Sequence, residues 1–179
     1  MKRTLTILLA LVLVLSLTAC GSKEVPETTA APETTGAPET AENLDQVIRS
    51  YLDAMTFSRQ SLIDQLVFDG WTEQEAADAV DAAAIDWKAQ ALASAKLYTE
   101  ISNLSQPGTV DTLLTDGYTQ EEADYAAENC DADWMANAAL SAENHLSYED
   151  LDREAMIAQL ESEGFTPEQA AYGADQNGL

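Results

Sequence analysis

Thiol and imidazole groups are scarce in this chain: two cysteines, Cys20 and Cys130, and one histidine, His145. A thiol beside an imidazole can form a nucleophile and its base, so Cys130 with His145 is the pairing to consider for catalysis. His145 occupies a position that recurs in the chain as Tyr51 and Tyr98, which points to a packing role instead. No Gly-x-Ser-x-Gly, His-Glu-x-x-His or phosphate-loop pattern occurs. Asp131 and Asp133 could attract calcium, but no stretch supplies the alternating oxygen ligands, central glycine and closing glutamate of a calcium loop. The inventory reads as a protein without an enzymatic site, metal or other cofactor.

Cys20 stands in a different context. Met-Lys-Arg at the start is followed by an apolar run from Leu5 to Leu17 and then Thr18-Ala19-Cys20, the layout of an export leader over residues 1–19. The run is too short for a permanent membrane span. Leu-Thr-Ala-Cys resembles the lipobox of bacterial lipoproteins. That resemblance implies cleavage between Ala19 and Cys20 and a thioether from Cys20 to a diacylglycerol. The expected address is the outer face of the bacterial cell membrane, on a Gram-positive cell. With Cys20 consumed, Cys130 is left without a partner for an intramolecular disulfide, so stability must come from packing.

Residues 20–43 carry Pro26-Glu27-Thr28-Thr29, Pro32-Glu33-Thr34-Thr35 and Pro38-Glu39-Thr40 with no hydrophobic periodicity. Such a segment reads as a disordered tether. At about 3.1 Å per residue it reaches roughly 70 Å from the bilayer.

Beyond the tether the chain repeats every 47 residues, in register at Gly70, Gly117 and Gly164. Each glycine precedes an aromatic residue and a threonine: Trp71-Thr72, Tyr118-Thr119 and Phe165-Thr166. The predicted units are residues 44–85, 86–132 and 133–179. Within a unit, Ser58, Ser105 or Asp152 caps a first short helix, and the glycine ends it, the aromatic folding back on the last turn. Thr72 to Glu75 and Thr119 to Glu122 form capping boxes that start a second short helix, and Thr166-Pro167 opens the third copy. That helix buries small residues, Ala76, Ala79 or Val80, and Ala83, matched by Ala123, Ala126 or Ala127, and Cys130. Asp86 and Asp133 open a longer helix whose Trp87, Ala91, Ala95 and Tyr98, or Trp134, Ala138, Ala142 and His145, fall on one stripe. The fold class predicted is all-α: a tandem array of three units, each a long helix followed by two short ones, with Gly70, Trp71, Trp87, Gly117, Trp134, Gly164 and Phe165 as structural residues.

Phe57 to Tyr98, with Asp-Gly-Trp-Thr and Ile-Asp-Trp-Lys-Ala-Gln-Ala, resembles the Ltp family repeat of host cell surface-exposed lipoproteins, and the final Glu-Gly-Phe-Thr-Pro-Glu-Gln-Ala-Ala-Tyr-Gly resembles that family's C-terminal unit. The resemblance spans about residues 44–179. It implies a helix-turn-helix-like bundle per unit and, by analogy with phage-borne members, superinfection exclusion, in which DNA of a second phage is kept from crossing the envelope. The second copy departs from the pattern. Thr109 replaces the leucine found at Leu62, Met135 replaces Lys88 in the following helix, and Pro107-Gly108 are expected to interrupt the start of its first helix.

The formal net charge of −24 becomes two units more negative once Lys2 and Arg3 leave with the leader. The would-be recognition helix from Glu73 to Asp81 has four acids and no base, whereas groove binding needs Lys or Arg against phosphate. Nucleic acid is thereby excluded as a partner. The acids Glu73, Glu75, Asp78, Asp81, Glu121, Glu122, Asp124 and Glu128 admit two readings: solvated helix faces that repel anionic wall polymers, or a docking surface for a basic or amphipathic protein segment such as a phage tail component. Two functions accordingly stand side by side, superinfection exclusion and a housekeeping envelope module that binds a host protein or wall component.

Overall fold

A computed structural model describes residues 41–179. The predicted leader, the Ala19–Cys20 cleavage and lipidation site, and the tether up to residue 40 lie outside the described residues. Those described form nine α-helices and no strand. They are α1 (Ala41–Ala54), α2 (Arg59–Phe68), α3 (Glu73–Ala82), α4 (Trp87–Ser102), α5 (Gln106–Thr115), α6 (Gln120–Asn129), α7 (Trp134–Leu146), α8 (Arg153–Ser162) and α9 (Pro167–Gln176). Among them no helix is long and apolar enough to cross a membrane.

The helices form three triads, α1–α3, α4–α6 and α7–α9, each folded round its own cluster. Leu44, Ile48, Leu62, Leu66 and Val80 fill the first; Ala91, Ala95, Leu113, Tyr118 and Ala126 the second; Ala138, Ala142, Met156, Leu160 and Phe165 the third. Local chemistry sets the joints. Thr72, Thr119 and Thr166 each accept the N–H three residues on, while Glu75, Glu122 and Gln169 reach back to the capping residue's N–H, reciprocal bonds worth roughly 1 kcal/mol per cap. At the end of α2 the Trp71 N–H donates to the Leu66 carbonyl and the Gly70 N–H to the Val67 carbonyl, and both bonds recur at Tyr118–Leu113 with Gly117–Leu114 and at Phe165–Leu160 with Gly164–Glu161. This double closure requires a left-handed residue at its middle. The three glycines supply it, with φ of 106°, 89° and 90°.

Three details differ from the sequence reading. Pro107 does not interrupt α5: it sits in the first turn, where the missing N–H has no helical partner to lose, and Gly108 donates to the Ser105 hydroxyl. Secondly, the second short helix of each unit ends through positive φ at Ala84, Asp131 and Gly178, spaced 47 apart, though only the last is a glycine. Thirdly, the predicted stripe from Trp87 to Tyr98 is split. Trp87 packs with Ala83 and Ile85 against the first core, and Trp134 likewise against the second, while Ala91 and Ala95 serve the cores of their own units. The turn before each long helix is so short that its first residue still lies beside the preceding bundle, so the tryptophans are core anchors that bridge successive units.

Candidate functional site

Successive units are joined by a polar junction that repeats with the sequence. The hydroxyl of Ser58, N-cap of α2, donates to the Asp116 carbonyl at the end of α5 at 2.6 Å, and that of Ser105, N-cap of α5, donates to the Glu163 carbonyl at the end of α8 at 2.5 Å. The neighbouring long helix adds a second contact. The Phe57 N–H donates to Gln90 Oε1 at 3.2 Å, and in the next junction Asn137 Nδ2 donates to the Leu104 carbonyl at 3.0 Å. Ser94 further donates to Thr56 at 2.7 Å. A Cβ on Gly117 would lie 2.9 Å from the Ser58 hydroxyl oxygen, and one on Gly164 2.9 Å from that of Ser105, so these glycines also admit the loop of the preceding unit. The serines were legible as caps. Their second role, as donors to a carbonyl 58 residues away, was not, because a hydroxyl's remaining partner is set by tertiary placement.

Tyr51, Tyr98 and His145, in register in the sequence, close equivalent acids. The Tyr51 hydroxyl donates to Asp69, the Tyr98 hydroxyl donates to Asp116 at 2.5 Å, and His145 Nε2 lies 2.6 Å from Glu163 Oε1. Burial first, and then the bonded carboxylate, push the Tyr98 phenol up to about 12. The Cys130 thiol is buried and donates to the Ala127 carbonyl. His145 is engaged by Glu163, which also receives Ser141 and Gln159. The structure therefore places Cys130 in a core and His145 in a packing lock, as their repeat positions indicate.

The eight predicted docking acids lie along α3 and α6 but are unequally available. Glu75 and Glu122 are bound into the capping boxes. Asp81 takes a two-pronged ion pair from Arg59 at 2.7 Å across to α2, and Glu121 pairs with Lys88 at 2.7 Å. These bonds hold the Glu75, Asp81 and Glu121 carboxyls below their ordinary range, so they stay charged. Asp78 and Asp124 accept side-chain amides of Gln74 and Gln120. Among the described residues, Glu73 and Glu128 take no side-chain partner.

Unit 2 differs from its neighbours in this respect. Arg59 crosses to Asp81 in the first unit and Arg153 to Asp175 at 2.9 Å in the third, but the second has Gln106 at the matching position, directed to the Ala127 carbonyl. Glu128 is left uncompensated. It shares with Asp111 and Asp124 a surface groove of about 310 Å³ between α5 and α6, floored by Pro107, Val110 and Ala127. This is where the structure gathers unspent negative charge beside apolar surface. Among the described residues no group of three His, Cys, Asp or Glu side chains is arranged to hold a metal ion.

Comparison with curated protein sequences gave no match. Among solved structures the chain is similar to Ltp, a superinfection exclusion protein from the Streptococcus thermophilus temperate phage TP-J34, at 29% identity with a TM-score of 0.48, covering 49% of this chain and 92% of that one. The sequence profile of the family described as host cell surface-exposed lipoprotein matches three times, at residues 48–82, 86–130 and 133–176. With three matched repeats over most of its length, each falling on a helical triad with its own core, the chain belongs to the host cell surface-exposed lipoprotein family.

Proposed function

We propose that the protein is held at the outer face of the cell membrane by a diacylglycerol on Cys20, and that its helical array captures a basic or amphipathic segment of an incoming phage protein, so that phage DNA is not delivered across the envelope. The observation that carries this reading is the triple match to a family of surface-exposed lipoproteins, on a chain whose first residues read as an export leader ending in Leu-Thr-Ala-Cys. The α5–α6 groove supports the choice of partner chemistry. Asp111, Asp124 and Glu128 have no opposing arginine there, and a cationic side chain from outside would take the place that Arg59 and Arg153 fill in the other units.

The test is made in cells expressing the protein and challenged with a panel of phages. Adsorption is expected to be normal while the host receives no phage DNA. Protection should fall when Cys20→Ala removes the anchor, and should weaken when Glu128→Lys and Asp124→Lys place cations in the groove. Unimpeded DNA delivery across the panel, with the protein present at the surface, ends the proposal.

A further inference from the structure

The repeat junction has two sides, and the array uses each twice. The inserted side is a helix start: Thr56-Phe57-Ser58 for unit 1 and Asn103-Leu104-Ser105 for unit 2. The receiving side is the next unit's long helix together with the glycine turn: Gln90, Ser94 and Asp116–Gly117 in unit 2, Asn137 and Glu163–Gly164 in unit 3. Shifted back by 47 residues, the same receiving side in unit 1 consists of Asn43, Val47 and Asp69–Gly70. Among the described residues it is empty. A Cβ on Gly70 would meet nothing within 4 Å, where the other two glycines meet serine hydroxyls, and a groove of about 500 Å³ runs past Asn43, Gln46, Val47 and Tyr51.

Phe68 marks the same end. It stands in the place of Thr115, which lines the cleft beside Ser58 and Gln60, and both positions are exposed to solvent.

The chain's own last helix start does not suit this face. Asp152 caps α8 where Ser58 and Ser105 cap theirs, and Asp150 stands where Thr56 and Asn103 do. A carboxylate cannot donate to the Asp69 carbonyl; it would bring negative charge against an acceptor and lose its water. We infer that the Asn43, Val47 and Asp69–Gly70 end of unit 1 is a docking face for a partner's helix start carrying a Ser or Thr cap preceded by an apolar residue, and that Asp152 keeps a second copy of this chain from taking it. The inference rests on continuity with the internal junctions and stands apart from the phage reading.

The experiment supplies such a helix start on the protein itself. Asp150→Asn with Asp152→Ser restores at 150–152 the Asn-Leu-Ser of residues 103–105, and serine remains a good cap. Self-association of the chain from Gly21 onward, which contains every described element, is measured by sedimentation equilibrium over a concentration series at 0.5 M salt, where screening suppresses the general repulsion between acidic chains. The double variant is expected to associate at least about tenfold more tightly than the wild type, the scale of one regained buried hydrogen bond. Asn43→Glu added to it should return association to the wild-type level. Asp152→Thr in place of Asp152→Ser serves as an independent second hydroxyl cap and should give the same order. A folded double variant that associates no more than the wild type overturns the inference, and so does association that survives Asn43→Glu.

Discussion

Units 2 and 3 are built on one template and hold together by different means. In unit 2 the second short helix carries Ala126 against the long helix, the first is capped by Ser105, and its end is locked by Tyr98 on Asp116. In unit 3 the matching residues are Gly173, Asp152 and His145 with Glu163. Gly173 lets α9 come so near α7 that an added Cβ would sit 2.7 Å from the Ala138 carbonyl oxygen. The internal unit must serve a neighbour on each side, so its polar groups reach outward. Unit 3 receives the Ser105 hydroxyl at its Glu163 carbonyl and reaches Leu104 through Asn137, while its own helix start is capped by Asp152, which has no hydroxyl to donate. The lesson is that a repeat's outline constrains helix starts and stops, while the few positions at the junctions are free to differ from unit to unit.

The largest test of this contrast is Gly173→Ala. The new methyl meets backbone, which cannot rotate away, so the α7–α9 pair must part, and a loss of roughly 1–3 kcal/mol is expected, measured by urea unfolding. Ala126→Ser at the matching site of unit 2, a comparably small enlargement, gauges that unit's tolerance. An unchanged midpoint for Gly173→Ala would show that the close approach does not govern the third bundle.

Next comes the cap. Ser105→Ala removes both the bond from the Gly108 N–H and the bond to the Glu163 carbonyl, with an expected cost of about 1–2 kcal/mol. Asp152→Ala removes only a cap, accepted from the Ala155 N–H, with an expected cost of about 1 kcal/mol. Equal losses would mean that the junction bond adds nothing to stability.

The smallest effect separates the two locks by pH. The folded Tyr98 phenol titrates at about 12 against an ordinary 10.0. Its contribution is therefore whole below pH 10 and is lost as pH rises from about 10 to about 12, because the unfolded chain releases the proton first. Unfolding midpoints over that window should fall less steeply in Tyr98→Phe than in the wild type, whereas His145→Phe should leave the alkaline slope as it was. A Tyr98→Phe slope indistinguishable from the wild type's would remove the phenol from the account.

Much of this architecture was legible in the residues. The glycine, aromatic and threonine triplets announce closure of one helix and the start of the next through bonds that span three to five residues, and such bonds depend on the local chain alone. The ends of the second short helices carry no such signal in the residues, because Ala84 and Asp131 adopt positive φ without the glycine that usually marks it. Pro107-Gly108 is the converse case, since a proline reads as a break until the cap at Ser105 shows that it lies in the first turn.

The candidate surface divides along the same line. By itself the sequence determined which side chains are charged, where the helices begin and how often the unit recurs, because composition, capping and period are properties of neighbours along the chain. Only the tertiary structure decided which acids are spent on Arg59, Lys88 and the capping threonines, that Gln106 leaves the α5–α6 groove uncompensated, and that Trp87 and Trp134 belong to the bundle before their own. Those outcomes depend on which residues meet across the packed helices, a relation set by burial and not by distance in sequence.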